Sequence, residues 1–523
     1  MKHQFLRTAA NLTIPLLSAL ILLSGLILAL GAQSVQADDA TWNLTPASGD
    51  WNTATNWTPN TVPTDSDIAT FKASNITDIT LSKDSGILEM VFNPGANSFT
   101  FTADSCHGLT LNSVGIVNNS GVTQYFISES ASVNTCLPDG ATTGSPTIPT
   151  FGKLIFTDGA TAGSQTIFTA RDGGDIWFEN SASAGEGVFV NKASLTSLGA
   201  GGRTTFFSNA TAGNATFISE GGQTDGRAGG NTSFSGTTHA ADATLIAEGG
   251  INGGGGGHIA LTFSAAGERA RVQLFGNGTL DIYGNKTPVS VGSIEGDGVV
   301  SLGKTLSVGT NGLSTTFSGL IKNYFSDSGS LAKTGTGELT LAGGESTYTG
   351  GTTLSEGTLI VTNKTGSATG TGEVSVSGGT LGGSGKIGGA VIIGKGSGTG
   401  AFLAPAHGGD AQLTLTIQSS LTFNSDATLT YTFQASQKRS KVDKVVANGV
   451  TINSGAIFNL IGTAIGTLTP GTVLTVIKNT ATTPISGTFS NLPDGAIINV
   501  NRNNLEASYT GGDGNDLTLT VVP

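Results

Sequence analysis

Short stretches in which apolar and polar residues alternate recur along the chain, and none of them is long enough for an amphipathic helix. In residues 331–360 (LAKTGTGELTLAGGESTYTGGTTLSEGTLI) they lie at 338–341, 352–354 and 358–360, separated by Gly-Gly or Gly-Thr corners. A period of two is typical of strands that bury one face. Each strand offers only a narrow apolar stripe, which has to stack on similar neighbours to be buried. The pattern therefore predicts an all-β solenoid.

A second repeating unit consists of a phenylalanine followed by a short run of small residues. Clear copies cover residues 156–163, 178–185 and 207–213, and weaker ones begin near residues 234 and 263. The copies are about 20 to 30 residues apart, which is typical of one solenoid coil per repeat. We therefore expect a ladder of stacked rings inside the solenoid, formed by Phe156, Phe178, Phe207, Phe234 and Phe263.

Three of the four tryptophans lie close together near the start of the chain, at Trp42, Trp51 and Trp57. The open end of a solenoid exposes unpaired strand edges and core side chains, so it needs a cap. Clustered indoles fit that role, and we expect an N-terminal aromatic cap here. The alternative interpretation is a surface on which the indoles stack against sugars.

The composition supports strands and argues against some partners. Charged residues make up 11% of the chain, and 79 of its 523 residues are glycine, whereas soluble domains average about 25% charged residues and about 7% glycine. Such a chain lacks the Lys, Glu and Arg that cover the wet face of amphipathic helices. The net charge of -12 argues against a nucleic-acid partner, because nucleic-acid-binding domains carry a clustered basic face.

The N-terminus has the three parts of an export signal. Lys2 and Arg7 precede an apolar run over residues 14–32, and a small-x-small cleavage motif ends at Ala37. An uncleaved membrane anchor is the alternative, since the run is long enough to span a bilayer. We expect cleavage, a mature chain that begins at Asp38, and no transmembrane segment in that mature chain.

The sequence contains two cysteines, Cys106 and Cys136. In an exported protein an even pair of cysteines is typical of a disulfide. Two unpaired thiols are the alternative, which an oxidising compartment disfavours. We therefore expect one disulfide.

One segment near the C-terminus has the pattern of a calcium-binding turn. Residues 511–519 fit a single β-roll nonapeptide, in which Asp513, Asn515 and Asp516 are the candidate calcium ligands. A complete calcium site needs several oxygen ligands, so a plain turn before the last strand is the alternative. No other cofactor is expected.

Enzymes that act on polysaccharides are also built as parallel β-helices, so an active site has to be considered. A hydrolase needs carboxylates that converge on one face, and the candidates are Asp172 and Asp175, with Asp158 one coil away. A lyase would need a basic residue beside acidic ones, for which residues 268–271 are the one cluster. Turn formation and surface ion pairing explain these residues as well. The sequence contains no nucleophile elbow, phosphate loop or zinc motif, and we expect no catalytic activity.

The central segment resembles a repeat of exported proteins. Residues 330–341 (SLAKTGTGELTL), 346–353 (STYTGGTT) and 356–359 (EGTL) are similar, in this order, to the autotransporter-associated β-strand repeat, also called the passenger-associated transport repeat. Two segments upstream of it, at 292–303 and 316–319, resemble the same group of proteins. So does the tail, at 441–445, 486–489, 492–495 and 509–516.

This resemblance implies a right-handed parallel β-helix that is displayed on, or released from, a Gram-negative-type cell. It makes Gly350 and Gly351 structural residues of the turn in the repeat. Autotransporters carry a C-terminal membrane barrel, but no tract of alternating strands of about 10 residues follows the tail in this sequence. We therefore expect a separate machine to move the chain across an outer membrane.

We predict four regions: a signal peptide at 1–37, an N-terminal cap with an irregular β region at 38–150, the parallel β-helix at 151–412 with the repeat at about 328–360, and a C-terminal β region or cap at 413–523. The predicted function is that of a secreted or surface-exposed structural protein, similar to an adhesin or passenger and non-catalytic. Its expected partners are extracellular glycans, cell surfaces or copies of itself. The alternative is a carbohydrate-binding or polysaccharide-degrading β-helix.

Overall fold

The computed structural model describes residues 39–104, 107–130, 152–196, 199–398, 400–407, 413–436 and 439–523. The predicted export signal and the predicted disulfide between Cys106 and Cys136 lie outside these ranges. Within them the chain forms 45 strands and one short 3₁₀ helix, Ala54–Asn56, in agreement with the all-β prediction. No helix in these ranges is long and apolar enough to cross a bilayer.

The strands are mostly short, as expected for a chain broken so often by glycine. In the N-terminal part they are β1 (Ala40–Trp42), β2 (Trp57–Thr58), β3 (Ile68–Phe71), β4 (Asp78–Thr80), β5 (Ser85–Phe92), β6 (Thr100–Ala103), β7 (Gly108–Asn118), β8 (Gln124–Glu129), β9 (Lys153–Phe156), β10 (Thr166–Arg171), β11 (Asp175–Phe178), β12 (Val188–Asn191), β13 (Arg203–Phe206), β14 (Thr216–Ser219) and β15 (Asn231–Gly236). In the central part they are β16 (Thr244–Ala247), β17 (His258–Phe263), β18 (Arg271–Leu274), β19 (Thr279–Asp281), β20 (Val289–Val291), β21 (Ser293–Gly296), β22 (Val299–Leu302), β23 (Thr305–Val308), β24 (Thr315–Phe317), β25 (Leu320–Asn323), β26 (Ser330–Lys333), β27 (Glu338–Leu341), β28 (Thr352–Leu354), β29 (Thr358–Val361) and β30 (Val374–Val376). In the C-terminal part they are β31 (Gly379–Gly383), β32 (Lys386–Ile387), β33 (Val391–Ile393), β34 (Ala401–Ala404), β35 (Thr414–Ile417), β36 (Leu421–Phe423), β37 (Ala427–Ser436), β38 (Arg439–Val442), β39 (Lys444–Ala447), β40 (Val450–Ile452), β41 (Ile457–Ile465), β42 (Val473–Asn479), β43 (Ile497–Val500), β44 (Asn503–Gly511) and β45 (Asp516–Val522).

Successive coils lay their strands in parallel, one above another, in four sheets. The first sheet has the order β2-β1-β3-β5-β7-β9-β11-β13-β15-β17-β19-β22-β25, the third β20-β23-β26-β28-β30-β33-β36-β40, and the fourth β32-β35-β39-β42-β45-β44-β43. The second sheet runs as a parallel ladder β4-β6-β8-β10-β12-β14-β16-β18-β21-β24-β27-β29-β31-β34-β37-β41. With strands about 4.8 Å apart, this ladder is roughly 70 Å long.

The third side of the coils changes its structure along the chain. Near the N-terminus the third side is a column of single bridges that joins Thr161, Ser183 and Thr211 in neighbouring coils. From β20 onward the third sheet takes this place. The first sheet ends at β25, and the fourth sheet begins at β32. Backbone hydrogen bonds connect the two, such as that from the Ala368 amide to the Lys386 carbonyl at 3.3 Å. These features confirm a parallel β-helix.

The core is one continuous column of buried side chains, because most strands turn every second residue inward. Along the second sheet the inward position is aromatic near the N-terminus and aliphatic further on. The register aligns Phe217 with Leu245, then Val272, then Ile294. All four side chains are fully buried, so each coil is stabilised by the apolar area that its neighbours cover.

Both described ends of the solenoid depart from parallel pairing. At the N-terminal end β1 pairs antiparallel with β2 and parallel with β3, so parallel pairing starts within the segment predicted as a cap and an irregular β region. At the C-terminal end β42, β45, β44 and β43 pair antiparallel. Antiparallel hairpins close the ends of the core without leaving another coil to be covered.

Candidate functional site

The three N-terminal tryptophans form a buried cluster. Trp42, Trp51 and Trp57 are at most 1% exposed, and their rings meet edge to face at 5.0 Å (Trp42–Trp57) and 4.8 Å (Trp51–Trp57). The Trp57 indole N–H donates to the Trp51 carbonyl at 2.8 Å, and that of Trp42 donates to the Ile76 carbonyl at 3.1 Å. With no ring face open to solvent, this cluster has the geometry of a cap and not that of a sugar-stacking surface.

Phenylalanine rings form two parallel stacks inside the solenoid. In the first sheet Phe156, Phe178, Phe206 and Phe234 follow one another with ring centroids 4.7, 4.7 and 4.5 Å apart. In the second sheet the stack contains Phe101, Phe126, Phe168, Phe189 and Phe217. The two stacks meet edge to face, for example at 5.5 Å between Phe206 and Phe217, which is a favoured aromatic geometry.

Two predicted members of the ladder lie elsewhere. Phe207 is half-buried on the outside, where its ring meets Trp177 at 5.6 Å, because register with Phe178 turns Phe206 inward and strand alternation then turns its neighbour outward. Phe263 is 55% exposed. Its backbone is in the left-handed region, with a φ of 61°. Leu261 takes the inward position beside Phe234. The prediction was wrong at these two positions.

The repeat segment buries a lysine. Lys333 at the end of β26 is 1% exposed, and its ammonium donates to the carbonyls of Thr334 (2.7 Å), Gly335 (2.7 Å) and Glu356 (3.3 Å). Burial lowers the pKa of Lys333 to about 8, and the Glu356 carboxylate partly offsets this effect. The lysine therefore ties the corner after β26 to the corner after β28, one coil further on.

Tyr348 and Thr352 form a second buried polar contact in the repeat, at the start of β28. The Tyr348 hydroxyl lies 2.6 Å from Thr352 Oγ1, both side chains are at most 1% exposed, and burial raises the pKa of Tyr348 well above its usual range. Gly350 and Gly351 lie between them. A Cβ on Gly350 would be 2.6 Å from the Gly329 carbonyl oxygen, and one on Gly351, whose φ is 85°, would be 2.7 Å from that of Glu373. Only glycine fits here, because the neighbouring coils touch the backbone directly.

The predicted calcium turn precedes β45. Asp516 is buried, and one of its carboxylate oxygens accepts the Asn479 amide at 2.9 Å, while burial raises its pKa. The Asn515 side chain donates to the Ala481 carbonyl at 2.5 Å, whereas Asp513 is exposed. Two of the three candidate ligands thus tie the last strand to residues 479–481. A calcium ion at this turn stays a prediction.

The carboxylates considered for catalysis are held in separate contacts. Asp175 accepts two hydrogen bonds from Arg203, at 2.8 and 3.1 Å. Asp158 accepts from Asn180 at 2.7 Å, and Asp172 accepts the Leu195 amide at 3.3 Å. The basic cluster is divided as well, since Glu268 pairs with His239, Arg269 with Asp242 and Arg271 with Glu295. In the part of the chain that the structure describes, no three His, Cys, Asp or Glu side chains are placed to hold a metal ion.

A ridge of surface aromatic side chains, which we call the aromatic ridge, consists of the half-buried Tyr283 and Tyr324 and the exposed Phe325. The rings of Tyr283 and Tyr324 are stacked at 4.1 Å and 8°, and Phe325 meets Tyr324 edge to face at 4.6 Å. Gly303 lies on the coil between the two tyrosines, where a Cβ would be 2.8 Å from the Tyr283 Cα. Phe325 is 86% exposed at a φ of 47°. A bulky apolar side chain that is both strained and exposed is typical of a functional surface.

Sequence reasoning missed the aromatic ridge. Tyr283 and Tyr324 belong to coils that are not adjacent, so no local pattern joins them. The only signal in the sequence is the glycine between them, in a chain that is rich in glycine throughout.

The comparisons with known proteins agree with the resemblance seen in the sequence. The family model described as the passenger-associated-transport-repeat matches residues 331–361, the segment from β26 to β29. No curated protein matches the chain. Residues 331–361, with the Lys333 corner, the Tyr348–Thr352 pair and the Gly350–Gly351 turn, thus carry a passenger-associated transport repeat within the parallel β-helix.

Proposed function

We propose that the chain is the passenger-type part of an exported protein, displayed on or released from the cell surface, where it acts as a non-catalytic adhesive scaffold. The observation that carries this proposal is that the repeat serves as a structural coil of the solenoid. Its distinctive side chains, Lys333, Tyr348 and Thr352, are buried and bonded within the solenoid, so they stabilise a coil and are not free to act on a substrate.

The exterior supports an adhesive function. The aromatic ridge presents a ring that is 86% exposed at Phe325, and the second sheet offers a long parallel face. Exposed aromatic side chains on a rigid scaffold provide contact area at low conformational entropy cost. Glycans, other cell surfaces and further copies of the chain are the partners that we propose for this exterior.

Export is tested by producing the full chain with a C-terminal epitope tag in a Gram-negative host. We expect N-terminal sequencing to show that the mature protein begins at Asp38. If the protein is displayed on the cell, protease added to intact cells should remove the tag. If it is released, the tagged protein should be found in the medium. A matched chain that lacks residues 1–37 should stay inside the cell. Protein that remains protected from protease within intact cells, in a host with the cognate transporter, would contradict surface display.

The non-catalytic part of the proposal is tested separately on purified protein. We expect no release of reducing ends or unsaturated products from pectins, alginates or glucans. Product release that disappears in Asp172→Ala or Asp175→Asn would establish an enzyme and overturn the scaffold proposal.

A further inference from the structure

A cleft of about 410 Å³ opens on the outer face of the second sheet, in the central part of the solenoid. This volume lies within the range of about 300 to 1,000 Å³ that is typical of small-ligand sites. Its walls combine one aromatic ring with amide, hydroxyl and carboxylate groups. They include Gln273, Phe275, Glu295, Ser314, Thr316 and Glu338.

The cleft exists because the parallel ladder is nearly interrupted at this point. β18 pairs with β21 over four residues and β24 pairs with β27 over three, but β21 and β24 share only the Gly296–Phe317 pair. The loop before β24 contains Gly309 and Gly312, both with positive φ, and the Asn311 side chain donates to Ser293 Oγ at 3.1 Å. The strands therefore separate on one side of Gly296, and a concave gap replaces the flat sheet.

The polar side chains at the cleft are held in place by their neighbours. Glu295 accepts a hydrogen bond from the Arg271 guanidinium at 2.5 Å, and Glu338 accepts one from Thr340 Oγ1 at 3.1 Å and lies 3.5 Å from His407. Carboxylates held in this way are strong acceptors for hydroxyl groups. Phe275 at the rim is 42% exposed and offers an apolar ring surface beside these acceptors.

We propose that this cleft binds a neutral saccharide. A sugar ring has an apolar face of C–H groups, which matches an aromatic ring, and a rim of hydroxyl donors, which matches carboxylate, amide and hydroxyl groups. An acidic polysaccharide fits less well, because Glu295 and Glu338 would repel its carboxylates within a chain of net charge -12. A purely apolar ligand would desolvate the same carboxylates without adding a hydrogen bond to offset the cost.

The proposal is tested by calorimetric titration of the purified full chain with neutral hexasaccharides of glucose, galactose and mannose, and with hexagalacturonate as the matched acidic probe. We expect at least one neutral probe to bind more tightly than hexagalacturonate. Phe275→Ala should weaken that binding by about tenfold, and Glu338→Gln should weaken it by a smaller factor. Phe263→Ala removes an exposed phenylalanine ring that lies outside both the cleft and the aromatic ridge, and it should leave the affinity unchanged.

Three results would overturn the proposal. They are the absence of binding by every neutral probe, tighter binding of hexagalacturonate than of the neutral probes, and affinities that are unchanged in both Phe275→Ala and Glu338→Gln. Both replaced side chains are partly exposed, and an unchanged thermal midpoint verifies that each variant is folded. The biological setting rests on the proposed surface display, but binding is measured on isolated protein. A chain that binds the saccharide yet stays inside the cell would refute surface display and leave the cleft proposal intact.

Discussion

The rings of Phe178 and Phe206 lie 8° from parallel with their centroids 4.7 Å apart, although each belongs to a different coil. The distance is close to the spacing of about 4.8 Å between neighbouring strands. Ring stacking and backbone pairing therefore have the same period along the solenoid. Each ring added to the stack covers the one before it, so that stability is shared between neighbouring coils and does not belong to a single coil.

Replacing a ring of this stack is expected to destabilise the protein strongly. Phe206→Ala leaves a cavity between Phe178 and Phe234, and we expect the free energy of unfolding to fall by about 3 to 5 kcal/mol. Phe207→Ala is the matched control, since Phe207 is half-buried on the outside. Phe207→Ala should lower the free energy of unfolding by about 1 kcal/mol or less. Chemical denaturation of both variants measures the difference, and equal losses at the two positions would refute the assigned register.

The sequence predicted the architecture because the features that build it are local. Alternation marks the strands, glycine marks the corners, and the repeat at 331–361 lies where the motif placed it. Alternation does not say which residue of the pair Phe206–Phe207 faces inward, because that choice is made by the register with Phe178 in the preceding coil. The prediction therefore failed where the neighbouring coil decides.

The candidate sites were less predictable because they arise between coils. The cleft depends on the reduction of the pairing between β21 and β24 to a single residue pair, which no residue near Glu295 or Phe275 signals. The stack of Tyr283 on Tyr324 depends on the missing side chain at Gly303 in the coil between them. Such features follow from how the coils are aligned, and the alignment is visible only once they are stacked.

The turn in the repeat should depend on contact between coils and not only on backbone conformation. Gly351 and Gly95 both have a φ of 85°, but a Cβ on Gly351 would be 2.7 Å from the Glu373 carbonyl oxygen, whereas one on Gly95 would meet nothing within 4 Å. Gly95→Ala should lower the free energy of unfolding by about 1 kcal/mol, because alanine is strained in the left-handed backbone conformation. Gly351→Ala should cost about 2 to 4 kcal/mol, since the neighbouring coil must also move.

Thermal and chemical unfolding of the two glycine variants separates these contributions. A cost at Gly351 no larger than that at Gly95 would mean that the coils can shift freely at this corner. The close contact between Gly351 and the next coil would then not require glycine at this position of the repeat.

The Tyr348–Thr352 pair should contribute through its buried hydrogen bond. Tyr348→Phe leaves Thr352 Oγ1 with one remaining contact, at 3.4 Å to the Thr369 carbonyl, and we expect a loss of about 1 to 2 kcal/mol. A double-mutant cycle with Thr352→Val measures the coupling, which should be about 1 kcal/mol. Additive effects would show that the two hydroxyl groups act independently. Tyr324→Phe, at a half-buried position on the aromatic ridge, serves as the control.

The buried lysine of the repeat should make stability depend on pH. The folded-state pKa of Lys333 is about 8, below its ordinary value of 10.5, so between these values the unfolded chain holds a proton that the folded chain has released. The free energy of unfolding therefore rises with pH through this window, and the cost of burying the charge is fully present below about pH 8.

Comparison with Lys333→Met isolates this effect, because methionine keeps an apolar stem and does not titrate. We expect the unfolding free energy of the wild type, relative to that of the variant, to be constant from pH 6 to 7 and to increase from pH 8 to 9.5. The upper limit avoids the ionisation of tyrosines in the unfolded chain, since burial raises the pKa of Tyr348 and Tyr431 in the folded state and this opposes the trend above about pH 10. Lys322→Met, at an exposed position on β25, is the control for loss of one positive charge. A difference between wild type and Lys333→Met that stays flat up to pH 9.5 would mean that the three carbonyl acceptors keep the ammonium charged, and that its burial costs far less than desolvation alone predicts.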